Sequence, residues 1–216
     1  MTSIVDKIAY SLSAQSRKKK FSQFLQEIIP QKEERILDVG VNTTEYSNTD
    51  NYLETSYSHP EKITAIGLGD MSMFAKHYPL VHAISADGLD LPFEDDAFDI
   101  AYSNAVIEHV GDHEKQLQFL KELVRVAKRG YLTTPNRLFL VEVHTRVPFL
   151  HLILSKKYFD TFLDWIGKSW ATGDYMRLLS EQELRLLFAQ SGITEYSLIK
   201  NRFLLLPMTF TVLWKK

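Results

Sequence analysis

The stretch 83–110, AISADGLDLPFEDDAFDIAYSNAVIEHV, most narrows what this chain can fold into. It begins inside a short apolar run, 81–85, that stops at Asp87-Gly88. A polar loop closed by Leu91-Pro92-Phe93 follows, then the acidic turn Glu94-Asp95-Asp96. A second apolar run, 98–102, opens into Ser103-Asn104 and a helix carrying Glu108-His109. Short, nearly unbroken apolar runs are what parallel strands look like, because both of their faces are buried. Ligands of such sheets lie beyond the carboxyl ends of the strands, near the switch point. Asp87 and Ser103-Asn104 fall just past two of those ends. Asp-Gly is also an ordinary turn pair, so Asp87 taken alone reads equally as a turn residue.

The same alternation runs along the whole chain. Residues 35–39 (RILDV) predict a strand ending at Gly40, followed by a polar loop over 42–51 and a short helix anchored by Tyr52, Leu53 and Tyr57. A second strand is predicted over 62–68, a helix over 71–77, a third strand over 81–85 and a fourth over 98–102. Asp112 can cap a helix over 113–127, whose inner face is Leu117, Leu120, Leu123, Val124 and Ala127. The fifth strand is 129–133, with Thr134-Pro135-Asn136 as its loop. Ahead of the first strand, Phe21, Phe24, Leu25 and Ile28 recur at helical spacing over 11–29, and Pro30 ends that helix. Arg17, Lys18, Lys19 and Lys20 read as its solvated face. An aromatic, leucine-rich insert of helices occupies about 143–170. Ser180 and Glu183 form a capping box for the next helix. Two terminal strands, 193–200 and 205–214, read as antiparallel neighbours. Strands alternating with helices in this way predict a doubly wound α/β sheet with right-handed crossovers, one domain across 1–216.

Composition removes several classes of function. The chain has 216 residues, a net charge of −2 and no cysteine. Disulfides, thiolate nucleophiles and cysteine-based zinc sites are excluded, and a cytoplasmic setting is expected. The small net charge and the single basic cluster give no expectation of nucleic-acid binding. No apolar run approaches the ~20 residues of a membrane span, so no stable membrane insertion is expected.

Across residues 83–110 the pattern D-x-x-x-LPF-x-D-x-x-FD, then S and a later H, resembles class I S-adenosylmethionine-dependent methyltransferases. The resemblance implies a Rossmann-like sheet of seven strands, mostly parallel, with the last strand antiparallel. It also implies S-adenosyl-L-methionine as cofactor, bound by Asp38, Gly40, Val41 and Asn42 after the first strand. Asp70 after the second strand, Asp87 and Gly88 after the third, and Ser103 and Asn104 after the fourth complete that set. Two of these positions depart from the family. Its usual Asp-x-Gly-x-Gly-x-Gly is here Asp38-Val39-Gly40 followed by Val41-Asn42-Thr43-Thr44. Valine resists positive φ whereas Asn tolerates it, so Asn42 is the candidate for a left-handed turn. The second strand ends in Gly67-Leu68-Gly69 where the family has a ribose-binding acid, leaving Asp70 either in that role or as the cap of the helix at 71–77.

A bacterial subset of the family looks similar at two further places. Ser47-Asn48 and Asn51-Tyr52-Leu53-Glu54 echo its first loop. TTPNR at 133–137, followed by Val141-Glu142-Val143-His144-Thr145 and His151, echoes its second. Asn136, Arg137, Glu142 and His144 are therefore expected at the acceptor; His151 reads as packing of the inserted helices. His109 is a general-base candidate, with a pKa naturally near neutrality, or a half-buried residue at a helix start. His109 and His113 share helical spacing, but Gly111-Asp112 breaks it and no third ligand is evident, so no metal is expected. The resemblance implies methyl transfer to an oxygen or nitrogen of a small molecule, a sugar or lipid intermediate among the options. A methyltransferase-like binding or scaffold protein without turnover, and an enzyme acting on protein or RNA, are the alternatives.

Overall fold

The computed structural model describes residues 4–45, 50–142, 144–173 and 176–216, with the backbone alone over 4–13. The first helix, α1 (Ile4–Ile28), is longer than its apolar periodicity predicts. Neither Gly nor Pro occurs in it to stop the helix earlier. Then come β1 (Ile36–Val39), α2 (Tyr52–Ser56), β2 (Ile63–Gly67), α3 (Ser72–His77) and β3 (His82–Ser85). The second half contains β4 (Phe98–Asn104), α4 (His113–Val126) and β5 (Ala127–Pro135). Two short helices of the insert, α5 (Leu150–Ile153) and α6 (Lys156–Trp165), precede α7 (Glu181–Gln190), β6 (Tyr196–Phe203) and β7 (Leu206–Lys215).

The strands form one seven-stranded sheet in the order β3-β2-β1-β4-β5-β7-β6. The β1 to β5 pairings are parallel, and β7 runs antiparallel to both β5 and β6. The order reverses between β1 and β4, so the switch point opens where Val39-Gly40 and Ser103-Asn104 lie side by side. Apolar residues cover both faces. Leu37, Val39, Leu120, Leu123, Leu184 and Phe188 pack on the α4–α7 face, while Phe24, Ile28, Ile36, Phe74 and Tyr131 pack on the α1–α3 face. The insert has a small core of its own built on Val147, Phe159, Leu163 and Ala171.

Several boundaries differ from the sequence reading, each for a tertiary reason. β3 is the outer strand, so His82 and Ser85 are exposed and Ala83 and Ile84 half-buried rather than enclosed on both faces. Ser103 and Asn104 belong to β4 itself, paired with Leu132 and Thr133 of β5. β5 runs on through Thr134 and Pro135 because β7 supplies partners in Phe210 and Thr209. Glu108-His109 lie on a single 3-10 turn, Ile107–His109, before Gly111 turns the chain at φ 117° and Asp112 caps α4 by accepting from Lys115 N at 3.0 Å. The capping box forms as expected: Ser180 Oγ accepts from Glu183 N, and Glu183 accepts from Ser180 N at 2.8 Å.

Candidate functional site

At the carboxyl edge of β1, Gly40 takes φ 102°, and its amide donates to Ile66 O at 2.8 Å. A Cβ there would stand 2.3 Å from a methyl of Val106, so this turn requires glycine for both space and angle. Val41 donates its amide to the same carbonyl and packs its side chain into the α1–α3 core. The left-handed residue of the following loop is Asn51 (φ 51°, ψ 48°), not Asn42. Asn42 instead donates its amide to Asn51 Oδ1 at 2.8 Å, and Asn51 Nδ2 donates back to Asn42 O at 2.9 Å. The asparagine tolerated at positive φ is the one whose side chain can bridge the loop's two ends. Ser47 and Asn48 lie outside the described residues.

Beneath this loop, Asp38 of β1 and Glu54 of α2 are both buried, their carboxyls against one another. The Asp38 carboxyl is the hydrogen-bonding neighbour of Glu54. Burial first, then the neighbouring Glu54, raises the Asp38 pKa well above the usual carboxylate range; burial likewise raises Glu54. Two acids so placed cannot both ionise, and a proton held between them satisfies both.

The remaining cofactor candidates lie along the same edge. Ser103 is buried and donates its Oγ to Val39 O at 3.1 Å, tying β4 to β1 at the switch point. Gly88 faces Phe119, whose ring would lie 2.7 Å from any Cβ. Asp87 is exposed and accepts from Leu89 N at 2.9 Å through one oxygen. Asp70 is exposed as well, with its carboxylate accepting from Ser72 N and Ser72 Oγ at 2.9 and 3.0 Å one residue ahead of Met71, the N-cap of α3. Those bonds hold the Asp70 pKa low.

Around Glu108, chain segments far apart in sequence converge. Glu108 is fully buried; its Oε2 accepts from Thr134 Oγ1 at 3.0 Å, and among the described residues its Oε1 has no hydrogen bond. His144 stands with Nε2 3.9 Å from that free oxygen, and the His109 and His144 rings meet edge to face, centroids 4.9 Å apart. Glu142 grips His144 from behind, accepting from His144 N and Thr145 N at 3.0 and 2.6 Å and pairing with His144 Nδ1 at 3.0 Å. Burial opposes ionisation of Glu142, but its His144 and Thr145 partners outweigh it and bring the pKa down to about 2. For His144 burial again opposes charge, yet the Glu142 bond and the Glu108 charge raise its pKa. Val143, between them, lies outside the described residues.

Two expected acceptor residues are placed elsewhere. Asn136 is buried with Nδ2 donating to Pro207 O at 2.8 Å and Oδ1 accepting from Leu138 N at 3.0 Å, so its amide fastens the chain to the β7 entry. Arg137 is exposed and pairs with Glu183 at 3.0 Å. Their loop is drawn towards β7 and α7 by backbone bonds from Asn136 N to Met208 O and Arg137 N to Leu179 O. His113 points away to Gln190 at 2.9 Å, and His151 meets Phe139 O at 2.9 Å, the packing role.

Lys20 was missed. It is buried rather than solvated, and its Nζ donates to Asn104 Oδ1 at 3.2 Å, an oxygen that also accepts from Thr133 Oγ1 at 2.6 Å. Burial lowers its pKa to about 8 against the opposing pull of Glu108. A signal existed: Lys20, Phe24 and Ile28 share one helical stripe at steps of four.

Residues 37–133 match the family model described as a methyltransferase domain. Tocopherol O-methyltransferase, chloroplastic, of Arabidopsis thaliana is 36% identical over 105 residues, covering 46% of this chain and 28% of that protein. The chain thus spans well under two thirds of the length of the curated relatives it matches. A S-adenosylmethionine-dependent methyltransferase from Thermotoga maritima has a similar structure, with a TM-score of 0.55 at 20% identity over 90% of this chain and 87% of that one. The 4+2 cyclase SpnF gives a TM-score of 0.55 at 16% identity over 85% of this chain and 60% of that one. At such identities the likeness is one of fold.

Proposed function

We propose that this chain is a class I S-adenosylmethionine-dependent methyltransferase that moves a methyl group onto an oxygen or nitrogen of a small molecule held beside His109 and His144. The observation that carries this reading is the convergence of Glu108, His109, Glu142 and His144 next to the switch point, at the same edge as Gly40 and Gly88. Polar side chains gathered there need a ligand-side explanation, because packing alone favours apolar ones.

The cofactor edge fits its group in part. Gly40 and Gly88 end β1 and follow β3, with the room a side chain would take filled by Val106 and Phe119, and the Asp38–Glu54 pair lies buried beneath the adjoining loop. In this reading Asp38, Gly40, Val41 and Asn42 hold the amino-acid end, Asp87 and Gly88 the adenine, and Ser103 with Asn104 the cleft wall. Asp70 would have to give up its Ser72 bonds to reach a ribose. S-adenosylmethionine supplies an already activated methyl, so the protein's task is to align the acceptor and, where that atom carries a proton, to take it. His109 and His144 are positioned for the second task; Glu142 fixes the ring of His144 so that Nε2, not Nδ1, faces the cluster. Sugar and lipid intermediates are the acceptor classes to screen first, and a cytoplasmic setting fits the cysteine-free composition.

A second reading, a binding protein without turnover, is favoured by the valine at position 41 and by Gly67-Leu68 where an acid would grip the ribose. Calorimetry with S-adenosylhomocysteine separates the two, since the main reading expects saturable binding. His109→Ala should then reduce turnover of an accepted substrate and leave that binding nearly intact. No binding at millimolar ligand would overturn the main reading in favour of the second.

A further inference from the structure

We propose that Glu108, His109 and His144 form a binding site for one divalent first-row transition ion. One carboxylate oxygen and one ring nitrogen from each histidine lie within 4.8 Å of one another. The Glu108 to His144 separation is 3.9 Å, whereas a tetrahedral ion with bonds near 2.1 Å sets its ligand atoms roughly 3.4 Å apart. Closing on an ion therefore takes about half an ångström at that pair, within the reach of side-chain adjustment.

An independent observation points to a ligand. Glu108 is fully buried, yet among the described residues its Oε1 accepts no hydrogen bond, and it is directed at the Nε2 of His144. A buried acceptor left without a donor is costly, and more so when it is charged. A cation among these three residues would remove that cost. The surroundings are also those of a metal site. Thr134 Oγ1 holds the other Glu108 oxygen, and Glu142 holds the Nδ1 side of His144, which leaves Nε2 available. A carboxylate behind a ligating imidazole fixes its tautomer and orientation. Two imidazoles and one carboxylate suit zinc, iron, cobalt or manganese better than calcium or magnesium, which prefer oxygen. Three protein ligands leave at least one coordination position for water or for an oxygen of a bound small molecule. His109 and His144 are both partly exposed, so that position is reachable from solvent. The proposal concerns binding and stands independently of methyl transfer.

The test uses the full chain, stripped with chelator and titrated with Co2+ as an optical probe, then with Zn2+ as competitor. One equivalent of Co2+ should give a visible absorption band that Zn2+ abolishes. His144→Ala should weaken Co2+ binding at least tenfold, and Glu142→Gln should weaken it tenfold or more through loss of the backing carboxylate. His113→Ala, whose ring lies with Gln190, should leave binding unchanged. A circular-dichroism spectrum for each variant establishes that it is folded. No saturable band in the unaltered chain overturns the proposal, as does an equal loss in His113→Ala. Should the His144 and Glu142 variants fail to fold, the melting temperature of the unaltered chain decides. A rise with Zn2+ and none with Mg2+ supports the site; equal or absent shifts overturn it.

Discussion

Replacing Glu54 by Gln should change the pH dependence of stability in a direction that the Asp38–Glu54 pair dictates. In the folded chain the two buried acids hold a proton that the unfolded chain releases once pH passes the ordinary carboxylate range. Over the window from that range up to the raised folded pKa, the folded state binds one proton more. Stability therefore falls as pH rises through the window and is flat above it, at about 1.4 kcal/mol per pH unit for one proton. In Glu54→Gln the amide can donate to Asp38 and the neighbouring acid is gone, so this contribution shrinks to what burial alone imposes on Asp38. Urea denaturation at pH 5, 6, 7 and 8, extrapolated linearly, gives both stability curves. The difference between them should widen in favour of the variant with rising pH. A difference that stays constant from pH 5 to 8 would refute the shared proton, whatever the variant's absolute stability.

Other outcomes follow from the site. Asp87→Ala should weaken S-adenosylhomocysteine binding about tenfold, the loss of one charge-assisted hydrogen bond, in calorimetry on a folded variant; unchanged affinity removes Asp87 from the cofactor. Lys20, with a folded pKa of about 8 against 10.5 unfolded, makes the unfolded state bind more protons between those values. Stability should thus rise with pH over that window by on the order of 3 kcal/mol relative to Lys20→Met, read from denaturation at pH 8 and pH 10 to 10.5. Gly40→Ala adds a methyl 2.3 Å from Val106 at a φ of 102°, and should lower stability by about 2 kcal/mol or more, read as a reduced urea midpoint.

The sheet was legible because its strands carry their own signal. Residues 36–39, 63–67 and 98–102 are apolar runs ending at glycine or polar residues, and each became a strand. What the runs cannot encode is a neighbour: β5 lengthens through Pro135 because β7 pairs with it, and β3 is half open because nothing flanks it. The acceptor cluster was half legible. Glu142 and His144 are close in sequence and remained together, but the approach of His144 to Glu108 and His109 depends on how the loop after β5 folds back. The search for a third ligand near His113 missed it for that reason. Asn42 and Asn51 exchanged roles because either tolerates positive φ, and only the geometry between β1 and α2 selects one. Lys20 was read by its charge although its phase on α1 placed it inward.

The paired hydrogen bonds between Asn42 and Asn51 also bear on how such a chain can diversify. They join the two stems of the loop next to β1 and α2, so whatever chain runs between them is closed off like a cassette. Closing a longer loop across the same stems costs only about 0.6 kcal/mol for each doubling of its length. Glu45 bonds Tyr78 and Asp50 pairs with Arg17 from within it, so an exchanged segment that keeps these two ties leaves the Gly40 turn and the acid pair beneath it in place. Ligand preference at this edge can thereby drift while the scaffold holds still, and grafting a foreign segment between the two asparagines is the natural place to begin re-engineering it.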